Sequence, residues 1–312
     1  MGGILVAKDR VRRPLVPTWP QIIQAGLKLV EEPEPQNVRR YVELVRESES
    51  SPPYHLQPIL QCLEEVSVRT AKDRAGIAVL DHGCGGAATL MYLAAIGYRQ
   101  VHGVDVGGDT EKTDRALRAI TGLNEQRIFL YDGSNLPFSE GKFDFIFSQQ
   151  VIEHVSDDCI GSYLDDEVRV LCDSGIVYHQ IPHRWTPWES HTKTWGIHYL
   201  PQLVQSQMYK LLGHDPEYVA KLIYLRSPLY YVRELRARYQ TVSNETLERL
   251  RLQPDAEYYD GNLKLRQFVS AVALLPVVRL LISNLVMLDV TAQEVSRDIS
   301  VNRAIQNDSR GE

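Results

Sequence analysis

Cysteine is scarce in this chain, and its four copies, Cys62, Cys84, Cys159 and Cys172, fall in no CxxC pair and no regular ladder. That spacing excludes a cysteine zinc site or a disulfide framework and predicts reduced, mostly buried thiols in a cytosolic setting. A basic surplus is missing too: 34 Lys and Arg stand against 40 Asp and Glu, and the formal net charge of -6 argues against nucleic acid as a partner. No internal repeat is visible. The segment MGGILVAKDR holds too short an apolar stretch for a secretory signal, and Val6 stands where a myristoylation pattern needs Ser or Thr. An unbroken apolar span is also lacking. Residues 268–288 come nearest, but Pro276, Arg279, Ser283 and Asn284 interrupt them. They are expected to form a buried helix followed by a strand over Leu285 to Val290, with peripheral membrane contact through 263–288 as the alternative. The expected location is cytoplasmic, or at the membrane surface.

With 312 residues, 44% of them hydrophobic and 24% charged, the chain has the make-up of a globular protein able to bury a real core. Its most informative segment is Val79 to Ala87, VLDHGCGGA, where an apolar run ends in an acidic residue and closely spaced glycines. This reads as a strand entering a ligand-holding turn, in which Gly83 and Gly85 allow close approach to the main chain. The helix expected to follow aims its free amides at that turn.

Onward from Ile77 the pattern alternates. Strands are predicted at Ile77 to Asp81, Val101 to Asp105, Arg127 to Tyr131, Phe143 to Ser148 and Gly175 to Ile181, with helices at Ala88 to Ile96, Lys112 to Leu123 and Ile160 to Leu171. Such alternation calls for a doubly wound, mostly parallel α/β sheet whose ligands sit beyond the carboxyl ends of the strands. Asp81, Asp105, Asp132 and Gln149 all fall at or just past such ends. Before the sheet, residues 1–52 read as an extended arm broken by Pro14, Pro17, Pro20, Pro33 and Pro35, with a short helix near Val38 to Glu47. A helix over Tyr54 to Val68 carries Leu56, Ile59, Leu60, Leu63 and Val66 on one stripe, for packing on the sheet. Residues 53–182 form the expected core, and 183–295 an insertion, cap helices at Pro228 to Arg238 and Glu245 to Leu252, and the last strand or strands. A frayed tail is expected over 296–312.

Taken in order, VLDHGCG, VHGVDV, YDGSNLPF and GKFDFIFSQQVIEHV resemble the class I S-adenosylmethionine-dependent methyltransferases, in the branch with a Leu-Pro-Phe turn and a Glu-His-Val motif. The resemblance covers about a third of the chain, Ile77 to Pro182, and implies a Rossmann-like fold with S-adenosyl-L-methionine as cofactor. It implies that Gly83 and Gly85 line the methionine end, that Asp105 accepts from both ribose hydroxyls, that Asp132 with Gly133 reads the adenine edge, and that Gln149 lies under the sulfonium region. Asp81 acts through loop amides or water. Two departures stand out: Ala87 replaces a usual glycine, and His82 a usual apolar residue. A carboxylate suits vicinal hydroxyls because it has two oxygens and only accepts.

Strand-end aspartates also cap helices, so each alone has a purely local reading. The implied activity is O-methylation of a small-molecule, sugar or lipid-linked acceptor. A histidine is the natural proton taker for a hydroxyl; His154, directly after the fourth strand, leads, with His183 and His191 behind. No metal site is read, because Pro182 keeps His179 and His183 off a common helical face. Trp185, Trp188 and Trp195 serve either lid packing or a ring-binding wall. The competing functions are an NAD(P)-dependent oxidoreductase, since Gly83-Cys84-Gly85-Gly86-Ala87-Ala88 approximates a dinucleotide turn, and a non-catalytic cofactor-binding regulator. Oligomeric state is left open.

Overall fold

The alternation after Ile77 is realised as a sheet in a computed structural model, which describes residues 16–108, 110–251 and 283–296 together with 278 and 281. Three helices come first: α1 (Trp19–Glu31), α2 (Pro35–Ser48) and α3 (Gln57–Thr70). Then follow β1 (Ala78–His82), α4 (Ala88–Ala95), β2 (Gln100–Asp105), α5 (Thr110–Thr121), β3 (Ile128–Leu130), β4 (Phe143–Gln149), α6 (Ile160–Val170) and β5 (Leu171–Ile181). A small hairpin, β6 (Trp188–Glu189) and β7 (Thr194–Trp195), leads to α7 (Gln202–Leu211), α8 (Pro216–Leu222), α9 (Pro228–Arg236), β8 (Tyr239–Asn244), α10 (Thr246–Arg251) and β9 (Leu288–Val295).

Seven strands form one sheet in the order β3-β2-β1-β4-β5-β9-β8, with β1 to β5 parallel and β9 antiparallel to both neighbours. This is the doubly wound, mostly parallel α/β sheet that the sequence predicts, in a Rossmann-like arrangement. Both faces are covered, as near-continuous apolar strands demand. On one face Val79, Phe145, Phe147 and Tyr178 pack with α1 to α4, and on the other Leu80, Val104, Ile146 and Val177 pack with α6 and α9. Of the expected stripe, Leu56, Ile59, Leu63 and Val66 are fully buried, and Leu60 is partly buried against the same core.

In its described part, from residue 16 on, the arm is helical rather than extended. Pro20 and Pro35 lie in the first turns of α1 and α2, where a missing N–H breaks no helical hydrogen bond, so they start helices rather than stop them. Ile22, Leu29, Tyr41 and Val45 join the same core as Met91 and Tyr92 of α4. The segment after Pro182, which shows no periodicity, contains the hairpin, α7 and α8; two-residue strands and a seven-residue helix are too short to leave a period. The strand expected over Leu285 to Val290 begins later and runs through Val295. The helix expected before it falls mostly outside the described residues, as does the tail. Among the described residues no helix is long and apolar enough to cross a membrane. All four cysteines are free, but only Cys62 and Cys84 are buried; Cys159 is exposed.

Two buried carboxylates tie the sheet to its surroundings. Asp289 of β9 accepts from the Tyr178 hydroxyl and, at 3.1 Å, from Gln180, and pairs with Arg249 of α10. Glu167 of α6 is fully buried, 2.8 Å from His82 Nδ1 and 3.3 Å from His179 Nε2. His82 continues to the Tyr131 hydroxyl and His179 to that of Ser148, each at 2.8 Å, so β1, β3, β4, β5 and α6 meet in one polar cluster. Burial pushes the Glu167 pKa up, but the charge and hydrogen bonds of His179 and the bond from His82 outweigh it and hold it near 2, against 4.5 for a free carboxyl. A depressed pKa means that this stabilisation is complete above about 4.5 and is lost as pH falls towards 2. Glu167→Gln should lower stability at neutral pH by about 3 to 5 kcal/mol, as for other broken buried pairs. Melting curves of both proteins across that acid window should show the wild type losing its advantage as pH falls.

Candidate functional site

At the carboxyl ends of β1 and β2 the backbone bends sharply. Gly83 and Cys84 both donate their amides to the Val104 carbonyl at 2.9 Å, which brings the glycine turn against β2. Gly83 has φ +96, and a Cβ placed there would lie 2.5 Å from Val151 Cγ2, so no side chain fits. Ala87, the departure from the family pattern, takes the left-handed conformation with φ 51 that a glycine would adopt more easily. Its small side chain keeps the turn in shape at a cost of about 1 to 2 kcal/mol.

Asp105 lies across this turn. Its Oδ2 accepts from the Gly85 amide at 2.7 Å and its Oδ1 from the Gly107 amide at 3.1 Å, so the carboxylate is already oriented at the sheet edge. Val106 beside it is 65% exposed, an apolar surface of the kind a flat base covers. The structure brings Asp132 and Gly133 to the same place: Tyr131 donates its amide to the Asp105 carbonyl at 3.0 Å, and a Cβ on Gly133 would sit 3.4 Å from Val106 Cγ1. Asp132 is exposed, and its Oδ1 accepts from the amides of Ser134 and Asn135, which lower its pKa. The local, turn-capping reading is thus realised for one oxygen of Asp132.

Asp81 is buried, and its pKa is driven well above the ordinary carboxylate range by burial first and by the charge of Asp105 second. A positively charged group entering the turn would relieve both effects. Gln149 ends β4, where its Nε2 donates to the His55 carbonyl at 3.2 Å and its Oε1 accepts from Thr89 at 3.4 Å. The His55 ring packs edge-on against Trp19 at 4.6 Å. The α1 end therefore abuts the crevice, and Trp19 and His55 are site neighbours that sequence reasoning missed; no motif marks them.

A second polar cluster begins where β4 ends. Gln150 holds a left-handed φ of 57 with its amide on the Gln180 carbonyl, a strained position typical of functional turns. A short 3-10 turn then presents Glu153 and His154. The insertion comes down on it: His154 Nε2 lies 3.0 Å from His191 Nε2, and Ser190 donates to Gln150 at 3.5 Å. His154 Nδ1 donates to the Leu222 carbonyl at 2.6 Å and His191 Nδ1 to Glu189 at 2.7 Å. The bond to Glu189 raises the His191 pKa, whereas burial lowers that of His154. Glu189 is itself held near a pKa of 2, because hydrogen bonds from His191 and Thr192 outweigh its burial. Hence two of the three expected histidines meet. His183 sits elsewhere in this scheme: it is buried, its Nδ1 accepts from the Trp185 amide at 3.2 Å, and burial lowers its pKa to about 4, as in a residue that holds the root of the insertion. Trp188 and Trp195 face each other across the hairpin with ring centres 5.3 Å apart, and Trp195 remains largely exposed.

Residues 80–179 match the model of the family described as Methyltransferase domain. Sphingolipid C9-methyltransferase A of Emericella nidulans is 32% identical over 128 residues, which are 40% of this chain and 24% of that protein. Norajmaline N-methyltransferase of Rauvolfia serpentina is 32% identical over 108 residues, 34% of this chain and 36% of that one. The chain thus spans about a quarter to a third of the length of these relatives. Among solved structures, geranyl diphosphate C-methyltransferase from Streptomyces coelicolor A3(2) aligns over 82% of each chain at 15% identity, with a TM-score of 0.43.

Gly83→Ala should cost about 1 to 3 kcal/mol through overpacking alone, besides its backbone strain. Chemical denaturation should show that loss, and adding Val151→Ala should return part of it, since the two positions touch.

Proposed function

We propose that this protein is an S-adenosyl-L-methionine-dependent methyltransferase that methylates a hydroxyl of a small-molecule, sugar or lipid-linked acceptor. The observation that carries the reading is the Asp105 carboxylate, fixed by the Gly85 and Gly107 amides beside the exposed Val106, at the carboxyl edge of a sheet whose core matches a methyltransferase domain. In this reading Asp105 exchanges those amides for, or shares them with, the two ribose hydroxyls. Asp132 and Gly133 border the adenine, Gly83 and Gly85 line the methionine end, and Gln149 forms the floor below it. The cofactor supplies an activated methyl group on a cationic sulfur.

Charge favours this cofactor over a dinucleotide. Two neighbouring carboxyls, Asp81 and Asp105, border the turn, and the pKa of Asp81 is raised first by its burial and then by the charge of Asp105. A pyrophosphate would add negative charge there, whereas a sulfonium and an amino group remove the conflict. Positioning then does most of the chemistry: aligning acceptor and methyl in a near-attack geometry lowers a barrier by about 7 to 11 kcal/mol. His154 and His191 are the polar groups proposed to meet the acceptor, with His183 supporting the insertion that carries His191. The relatives that methylate a sphingolipid and an alkaloid support a small-molecule acceptor in general terms, and the three indoles of the insertion support one with a ring.

Calorimetry with S-adenosylmethionine and S-adenosylhomocysteine tests the cofactor. Both should bind, NADH should not, and Asp105→Ala should weaken binding by about 100-fold, the loss of two charge-assisted hydrogen bonds. Absence of binding to the unaltered protein, or indifference to Asp105→Ala, overturns the reading. Transfer of a labelled methyl group into lipid, polysaccharide and small-molecule pools then identifies the acceptor class. In that assay His191→Ala should lower turnover while leaving S-adenosylhomocysteine affinity within about 3-fold of the wild type.

A further inference from the structure

The turn after β4 and the hairpin loop bring three polar side chains together. Glu153 is completely buried, yet neither of its carboxylate oxygens has a hydrogen-bond partner among the described residues. A buried carboxylate without partners is strongly disfavoured. Its Oε1 faces two imidazole nitrogens, His191 Nε2 at 3.6 Å and His154 Nε2 at 4.0 Å. Both rings spend their other nitrogen as a donor, His191 on Glu189 and His154 on the Leu222 carbonyl. In their neutral forms, therefore, both Nε2 atoms carry lone pairs, and these point at one another across 3.0 Å.

Three electron-pair donors thus converge on one spot. A proton shared between the two rings would satisfy the histidines but would leave Glu153 with nothing. A metal ion satisfies all three. The sides of the triangle, 3.0, 3.6 and 4.0 Å, give a circumradius of about 2.1 Å. Its centre therefore lies at one common distance from the three ligand atoms, and that distance matches zinc to imidazole nitrogen, about 2.0 to 2.1 Å, and zinc to carboxylate oxygen, about 2.0 to 2.2 Å. The surroundings are also those of a metal centre. A ligating histidine ordinarily gives its second nitrogen to a carboxylate or a backbone carbonyl, which fixes the tautomer and aims the ring. Here Glu189 and Leu222 do both, and Glu189 is in turn held by the Thr192 amide and hydroxyl at 2.6 Å.

We infer that Glu153, His154 and His191 bind a divalent transition-metal ion of the zinc class. Two imidazoles and one carboxylate select borderline metals over calcium or magnesium. Three protein ligands leave coordination positions for water or for an acceptor oxygen, which the ion would polarise. Only that last role rests on the methyltransferase reading; the binding itself does not. The ligands come from opposite ends of one closure, Glu153 and His154 from the turn after β4 and His191 from the hairpin loop, so an ion there would also pin the insertion over the crevice.

The full chain, stripped with a chelator and titrated with Zn2+ by calorimetry, tests this, with Co2+ as a visible-absorption probe of nitrogen ligation. One ion per chain is expected. Affinity should fall at least 100-fold in His191→Ala and in Glu153→Gln, and about 10- to 100-fold in Glu189→Gln, which removes only the outer support. His191 is half-buried in a loop, so its variant keeps the inference testable if Glu153→Gln fails to fold, with circular dichroism as the check. No binding to the unaltered chain, or binding that His191→Ala and Glu189→Gln leave unchanged, overturns it. Because the readout is metal affinity, it stands or falls separately from cofactor binding.

Discussion

Val151 packs so closely on Gly83 that no side chain fits between them. On one side of that contact lies the glycine turn with Asp105 across it; on the other lies the strained Gln150 turn that presents Glu153 and His154. The contact therefore holds the glycine turn and the Gln150 turn side by side. The His82, Glu167 and His179 cluster ties β1, β4 and β5 together through α6, so β1 and β4, which lead into these two turns, cannot slide independently. His82, the unusual residue of the glycine motif, has its explanation here: it is the link from that motif to a buried carboxylate.

Much of the central sheet was legible because its physics is periodic. Buried parallel strands leave unbroken apolar runs, the helices between them leave stripes, and the turns leave glycines and acids, so β1 to β5 and α3 to α6 fall close to their expected bounds. Failures came where sequence separation hides the partner. Pro20 and Pro35 look like breakers until the chain before them is seen to be non-helical, and β8, with a half-buried YQTVSN pattern, becomes a strand only by pairing with β9. His179 drew attention as a neighbour of His183, yet its partners are Glu167 and Ser148.

The candidate site divides in the same way. Asp105 and Asp132 were readable from position alone, since the ends of adjacent parallel strands must share one edge. The meeting of His154 with His191 was not readable, because it depends on how residues 182–190 fold back over the end of β4. Glu153 is illegible for a simpler reason: one letter in a Glu-His-Val motif does not reveal that its side chain is sealed from water. The N-terminal contribution was equally hidden, for Trp19 touches the crevice only through His55 and the backbone it carries to Gln149.

The position of β9 in the sheet has a consequence for biosynthesis. It separates β5 from β8, yet residues 182–287 must be translated before its first residue leaves the ribosome. Throughout that interval the Ile176 to Ile181 edge of β5 has no mate, and the hydroxyl of Tyr178 and the amide of Gln180 wait for Asp289. A nascent chain with a bare, apolar strand edge is open to wrong pairing. A carboxylate that arrives late and meets two waiting donors and an arginine gives the incoming strand a polar register mark, so that vectorial synthesis ends in one alignment of the sheet.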